Sequence, residues 1–244
     1  MRRRTGLCLL EGVRLVEAAL GAGARLKDVF VVPGLAEQER AQALVKALAE
    51  RGIPVTAVTT RVMEGLSAAE TPPGIIAVAE KQETDAEGFL GSTAVLIADG
   101  IADPGNMGTM ARTAAAAGAA LWTRLGSVDL YDPKALRASA GALFLVPHRQ
   151  RWSTDDLIAQ AGSLGLALVV ADARGTVSYD EFDWRGPFAL AVGSEAHGVS
   201  SSLREAAACL VSIPMKAGVE SLNAAAVAAV CLFEAVRQRN RGRL

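Results

Sequence analysis

Residues 94–98 (AVLIA) form an unbroken apolar run, and the sequence after it, DGIADPGNMGTMARTAAAAG, is a loop that turns into a helix. A short, bounded apolar run reads as a buried strand. Asp99–Gly100 ends it and Pro104–Gly105 marks the loop. From about Met107 the chain is rich in alanine with few breakers, which favours helix. Asn106, Gly108 and Arg112 therefore fall at or just inside a strand–loop–helix junction. Such a junction turns free backbone N–H groups and the positive helix end outward. Two later stretches have the same form. GSEAHG (residues 193–198) follows the apolar run 188–192. IPMKAGVESLN (residues 213–223) follows Leu210–Val211 and leads into another alanine-rich helix. Three loops at the carboxyl ends of three strands point to one composite site in an open α/β sheet.

At 244 residues the chain makes one large domain or two small ones. Hydrophobic residues are 51% but aromatics only 5%, so the core must be built mainly of Ala, Val and Leu. A formal net charge of −1 gives no global pull toward nucleic acid and leaves room for a local basic patch. Arginines gather at both ends: Arg2, Arg3 and Arg4, then Arg237, Arg239, Arg241 and Arg243. Cys8, Cys209 and Cys231 are odd in number, far apart and in apolar settings. They read as buried reduced thiols, with no disulfide and no metal site, and place the protein in the cytoplasm. Arg2 to Arg4 followed by an apolar stretch resembles a signal peptide, but Glu11, Arg14 and Glu17 interrupt it too early. No apolar run approaches a membrane span.

Apolar residues at Leu9, Leu10, Val13, Val16 and Leu20 have helical spacing and predict a helix over 7–20. Strands follow at 26–32, 53–58 and 75–80, with helices at 37–51 and 60–66. Residues 1–82 thus form a small βα-alternating unit. A polar stretch with Gly88 and Gly91 supplies a linker at 83–92. In residues 93–244 the alternation resumes. Strands are expected at 94–98, 121–124, 142–146, 166–171, 188–192 and 209–213. Helices are expected from Met107, at 133–140, 154–164 and 200–208, and from about Asn223 to Gln238.

The glycines Gly100, Gly105 and Gly108 do not have the spacing of a dinucleotide fingerprint. Asp129 or Asp132 would be its ribose partner, and the ordinary alternative is a turn that needs glycine. Arg112 sits in an otherwise small, apolar helix, where a solvent-facing arginine is the ordinary use. Glu195 either orients a partner or caps a helix. Ser221 and Asn223 stand where N-caps stand. His197 is a lone loop histidine of low weight. HExxH, paired CxxC, Walker and GxSxG motifs are missing from the sequence.

Taken together, NMGTMAR (106–112), the strand with GSEAHG (188–198) and IPMKAGVESLN (213–223) resemble the three ordered motifs of the SpoU, or TrmH-type, RNA ribose 2′-O-methyltransferases of the SPOUT superfamily. The likeness covers about residues 93–240. The N-terminal unit, with LLEGVRLVEAAL, resembles the ribosomal-protein-like substrate-binding domain of many members.

The resemblance implies an α/β fold: a C-terminal SPOUT methyltransferase domain tied in a deep trefoil knot, preceded by a smaller α/β substrate-binding domain. It implies S-adenosylmethionine as cofactor, held by Ala171, Gly193, Ile213, Met215 and Leu222. It implies methyl transfer to a ribose 2′-hydroxyl of RNA, ribosomal or transfer. Arg112 would be the key catalytic residue, with Asn106, Glu195, Ser221 and Asn223 holding it and the ribose in register. Arg2, Arg3, Arg4 and Arg112 would contact RNA, in a single-stranded or looped form that exposes the hydroxyl. A homodimer is implied, with the final helix in the interface and the alanine-rich face of 224–236 allowing close packing. One alternative is a non-catalytic RNA-binding or ribosome-assembly protein on the same fold. Another is an oxidoreductase using the loop from Gly100 to Gly108 for a nucleotide cofactor.

Overall fold

The structure, a computed structural model, describes residues 6–219 and 221–241. Arg2, Arg3 and Arg4, expected to contact RNA, lie outside the described residues. The first elements are β1 (Leu7–Glu11), α1 (Val13–Gly21), β2 (Leu26–Val31), α2 (Glu39–Glu50), β3 (Val55–Ala57), α3 (Thr60–Leu66) and β4 (Ile75–Glu80). They build a four-stranded sheet of order β1-β4-β2-β3. The helix expected over 7–20 is corrected here. Its first five residues are a strand paired antiparallel with β4, Leu7 opposite Glu80 and Glu11 opposite Ile76. Gly12, at φ 103°, makes the turn into α1 that a side chain would resist.

The segment after β4 is pinned to the next unit rather than slack. Lys81 pairs with Asp129 at 3.0 Å, the Gln82 N–H donates to the Tyr131 hydroxyl at 2.8 Å, and Phe89 is fully buried. Then come β5 (Ala94–Asp99), α4 (Pro104–Ala117), β6 (Ala120–Arg124), α5 (Pro133–Ser139), β7 (His148–Trp152) and α6 (Thr154–Ser163). The chain continues with β8 (Ala167–Ala171), β9 (Val177–Ser178), β10 (Phe188–Gly193), α7 (Ser201–Glu205), β11 (Cys209–Ser212) and α8 (Ala224–Arg241). These strands form a seven-stranded sheet of order β7-β6-β5-β10-β8-β11-β9, every pair parallel. The strand expected at 142–146 is instead a single 3-10 helix over Ala142–Leu145, and β7 begins at His148.

Side chains of β5 alternate between two apolar layers. Leu96 and Ala98 face Met107, Leu136 and Ala228 of the α4–α5–α8 side; Val95 and Ile97 face Leu157 and Leu203 of the α6–α7 side. A sheet buried on both faces explains why its central strands read as unbroken apolar runs. The first layer runs on without a break into Leu10, Leu15 and Val16 of the four-stranded sheet's side. There Gly141 lies so near α1 that a Cβ on it would sit 2.3 Å from the Ala18 Cβ. Glu11 is buried, accepts from Ser67 Oγ at 2.8 Å and the Ala68 N–H at 3.0 Å, and faces Arg137 of α5 at 3.6 Å.

Candidate active site

Helix α4 starts at Pro104, three residues before the alanine-rich stretch. Asp103 is its N-cap, accepting the Asn106 N–H at 2.8 Å, and Pro104 fills the first position, where no N–H is needed. Asn106 is therefore in the first turn of the helix. Gly108 is required by packing: a Cβ would lie 2.3 Å from the Ala135 carbonyl oxygen, so α4 and α5 touch along their backbones.

Three sequence-distant residues meet at the amino ends of α4 and α8. The Asn106 Nδ2 donates to Glu195 Oε1 at 2.6 Å. The Asn223 Nδ2 donates to Asn106 Oδ1 at 2.9 Å and lies 3.5 Å from Glu195 Oε1. Glu195 also accepts the Ala224 N–H at 3.3 Å, and Asn223 Oδ1 accepts the N–H groups of Ala225 at 2.9 Å and Ala226 at 3.3 Å. Asn223 is thus the N-cap of α8, and Glu195 places negative charge at the same positive helix end. The capping uses weighed for both residues hold. Their remaining polar atoms are spent on each other and on Asn106.

Beside this triangle opens a cavity of about 280 Å³. Ala171, Gly193, Ile213, Met215 and Leu222, the five residues expected to hold a cofactor, all line it, and so do Glu195 and Ser221. Val192, Val199, Val211 and Val227 add apolar wall; Asp172, Arg174, Arg204 and His197 add a polar rim. Asp172 is ion-paired with Arg204, Nη1 lying 2.6 Å from Oδ2, and its Oδ1 accepts the Arg174 N–H at 2.8 Å. These three were missed in the sequence, although Asp172 directly follows β8. Gly193 is forced by close approach: a Cβ would lie 2.0 Å from the Gly198 carbonyl carbon. The loop 194–198 consequently folds flat on the strand end, with the Gly198 N–H donating to the Ser194 carbonyl at 2.8 Å. Apolar walls interrupted by backbone polar groups suit a purine nucleoside, and the volume is near the lower end of the ~300–1,000 Å³ usual for small-molecule sites. The residues present therefore fit the adenosyl group of S-adenosylmethionine.

Two expected site residues stand apart from the triangle. Arg112 lies on α4 about 9 Å along the axis from Asn106 and ~120° around it. It is exposed, on a stripe with Thr109 and Ala116, and is neither hydrogen-bonded nor ion-paired among the described residues. Asn106, Glu195 and Asn223 thus do not hold it within this chain. Ser221 lines the cavity but leaves the capping of α8 to Asn223. The acids of the dinucleotide reading are otherwise engaged: Asp129 with Lys81 and the Tyr131 N–H, Asp132 as N-cap of α5. Among the described residues no His, Cys, Asp and Glu cluster could hold a metal ion, and no helix is long and apolar enough to cross a membrane.

A parallel sheet with an adenosyl-sized cavity at its strand ends and an amide–carboxylate cluster at the rim has the form of a nucleotide-cofactor site. The SpoU rRNA methylase family matches residues 93–233, and the MRM3-like substrate binding domain matches residues 1–77. The chain belongs to the SpoU rRNA methylase family. It is 32% identical over 254 residues to the 23S rRNA (uridine(2479)-2′-O)-methyltransferase of Streptomyces viridochromogenes, covering 99% of this chain and 86% of that one. It is 30% identical to the 23S rRNA (guanosine(2553)-2′-O)-methyltransferase RlmP of Bacillus subtilis, covering 95% and 89%. The crystal structure of the S. viridochromogenes SpoU methyltransferase AviRb in complex with the cofactor AdoMet superposes with a TM-score of 0.88. That match has 29% identity over 99% of this chain and 94% of that one.

Proposed function

We infer that this protein transfers a methyl group from S-adenosylmethionine to a ribose 2′-hydroxyl of RNA, ribosomal RNA being the substrate class. The observation that carries the reading is the Asn106–Glu195–Asn223 triangle at the rim of an adenosyl-sized cavity, in a chain of the SpoU family. Bound S-adenosylmethionine supplies an electrophilic methyl group on a sulfonium. The protein's task is to hold a ribose hydroxyl in line with it and to ease loss of the hydroxyl proton. Ala171, Gly193, Ile213, Met215 and Leu222 hold the cofactor. Asn106, Glu195, Asn223 and Ser221 orient the ribose. Arg112 binds the neighbouring phosphate and lowers the hydroxyl pKa by its charge. Its guanidinium only donates and does not act as the base, so the hydroxyl proton passes to solvent water.

Arg112 needs a partner from outside its own protomer, either RNA or a second copy. A homodimer through α8 supplies the second copy. Ala224, Ala225, Ala228 and Ala235 of α8 are buried, and α8 packs on α4 of its own chain. The outward face presents Ala226, Val230 and a half-exposed Phe233. These outward residues, rather than the full alanine face, form the dimer contact in this reading. A trefoil knot accounts for the strand order, in which β10 enters between β5 and β8 and β11 between β8 and β9. Residues 1–82 bind the RNA outside the target nucleotide, and the protein works in the cytoplasm.

The test is methyl transfer. Purified protein is incubated with methyl-labelled S-adenosylmethionine and undermodified ribosomal RNA, and the digested RNA is searched for the labelled nucleoside. A 2′-O-methylnucleoside is expected. Label on a base would overturn the ribose assignment, and RNA binding without cofactor binding would establish the non-catalytic alternative.

A further inference from the structure

Asp99 stands at the carboxyl end of β5, opposite Gly193 of β10, and no role in the proposed transfer falls to it. It is 1% exposed, and a carboxylate so deeply buried is stable only when its oxygens are bonded. Both are. Oδ1 accepts from Arg124 Nε, at the end of β6, and Oδ2 accepts the Ser200 N–H at 2.6 Å across 101 residues of chain. Ser200 is the N-cap of α7 and closes the 194–200 segment that carries the loop. Among the described residues its own hydroxyl has no hydrogen-bond partner, so the backbone bond to Asp99 is what anchors that end of the loop. The other end is fixed by the contact of Gly193 with Gly198. Between these anchors lie Glu195 and, lining the cavity, Ser194, His197, Gly198 and Val199.

We propose that Asp99, held by Arg124, is a positioning residue that clamps the 194–200 loop and thereby sets both the cofactor cavity and the place of Glu195 against Asn106 and Asn223. Arg124 has a defined part in this. Its guanidinium only donates, so it can bond only an acceptor, which turns the carboxylate so that its second oxygen faces Ser200. The inference rests on the proposed function for the identity of the cavity's ligand.

Asp99→Asn carries the test. The amide keeps one oxygen, which can serve Ser200, but its NH2 then faces the Arg124 guanidinium, donor against donor. The expected result is S-adenosylmethionine binding, read by calorimetry, weakened roughly tenfold or more. Amide hydrogen exchange in residues 194–200 should rise in step. In Asp99→Asn/Arg124→Gln the glutamine oxygen accepts from the Asn NH2, and binding should recover most of the loss. Leu48→Ala, in the core of α2 far from the cavity, serves as a variant of matched thermal destabilisation and should bind the cofactor as the wild type does. Normal cofactor binding by Asp99→Asn would overturn the clamp. So would equal weakening in Leu48→Ala, or no recovery in the double variant. Wild-type protein that bound no S-adenosylmethionine would overturn the functional reading and the clamp with it. Wild-type binding with an unaffected Asp99→Asn would overturn the clamp alone.

Discussion

The Nδ2 of Asn223 donates to the Oδ1 of Asn106 at 2.9 Å, across 117 residues of chain, while both side chains face the same oxygen of Glu195. One amide thus serves two ends: its oxygen caps α8 and its nitrogen joins the polar triangle. Two substitutions separate the functions. Asn223→Ala loses both, so thermal denaturation should show a loss of about 1 kcal/mol from the missing cap, and methyl transfer should fall with it. Asn223→Asp keeps the cap acceptor but sets a second carboxylate beside Glu195. It should remain nearer wild-type stability while its kcat falls at least as far as that of Asn223→Ala.

Arg112 gives the opposite pattern. It is exposed and without a partner among the described residues, so Arg112→Ala should leave stability within ~0.5 kcal/mol. If it stabilises the developing charge as proposed, kcat should drop by roughly 10²–10³-fold with cofactor affinity unchanged. Single-turnover transfer beside calorimetric cofactor titration checks both halves.

Gly193→Ala probes the floor of the cavity. The added methyl would stand 2.0 Å from the Gly198 carbonyl carbon, so the loop must lift off the strand end. The expected cost is about 2 kcal/mol of stability, as for other overpacked sites, together with a loss of cofactor binding larger than the stability change explains. Full cofactor affinity in this variant would remove Gly193 from the cavity wall.

A pH effect should arise away from the site. His148 is 3% exposed, with Nδ1 2.8 Å from the Val146 carbonyl and Nε2 2.9 Å from the Tyr131 hydroxyl. Burial holds its pKa below the ordinary 6.5, and the Val146 bond opposes this only in part. The folded state therefore binds its proton later than the unfolded chain does. Stability should be full above about pH 6.5 and be lost as pH falls through the depressed folded value. Denaturant titrations from pH 7.5 to 5 should show this slope, and His148→Asn should flatten it.

What the sequence revealed follows burial. β5, β8 and β10 are covered on both faces, and their apolar runs stand out within a residue or two of their true ends. β7 (HRQRW) is an edge strand with polar, partly exposed side chains and an irregular register, so nothing in its pattern marks it. β1 misleads because Leu9, Leu10 and Val13 fit a helix as well as a strand. Only pairing with β4 decides, and that partner is some 65 residues away. At the site, the motif residues were visible as types and positions, and their meeting at α8 is a tertiary fact. The resemblance implied that Asn106, Glu195 and Asn223 hold Arg112, and helix geometry turns it away from them within the chain. The Asp99 clamp was hidden because its partners, Arg124 and Ser200, carry no local signal.

Because Asn223 caps α8, the triangle and one wall of the cavity are completed by the element that follows all the other described elements in the chain. A nascent chain that has formed the four-stranded sheet and β5 through β11 still lacks Asn223 of the triangle and Ala224 and Val227 of the cavity wall. Order of synthesis thus sets the order of assembly: a chain made only as far as β11 has an open cavity, and the wall closes once α8 has been made and docks on α4.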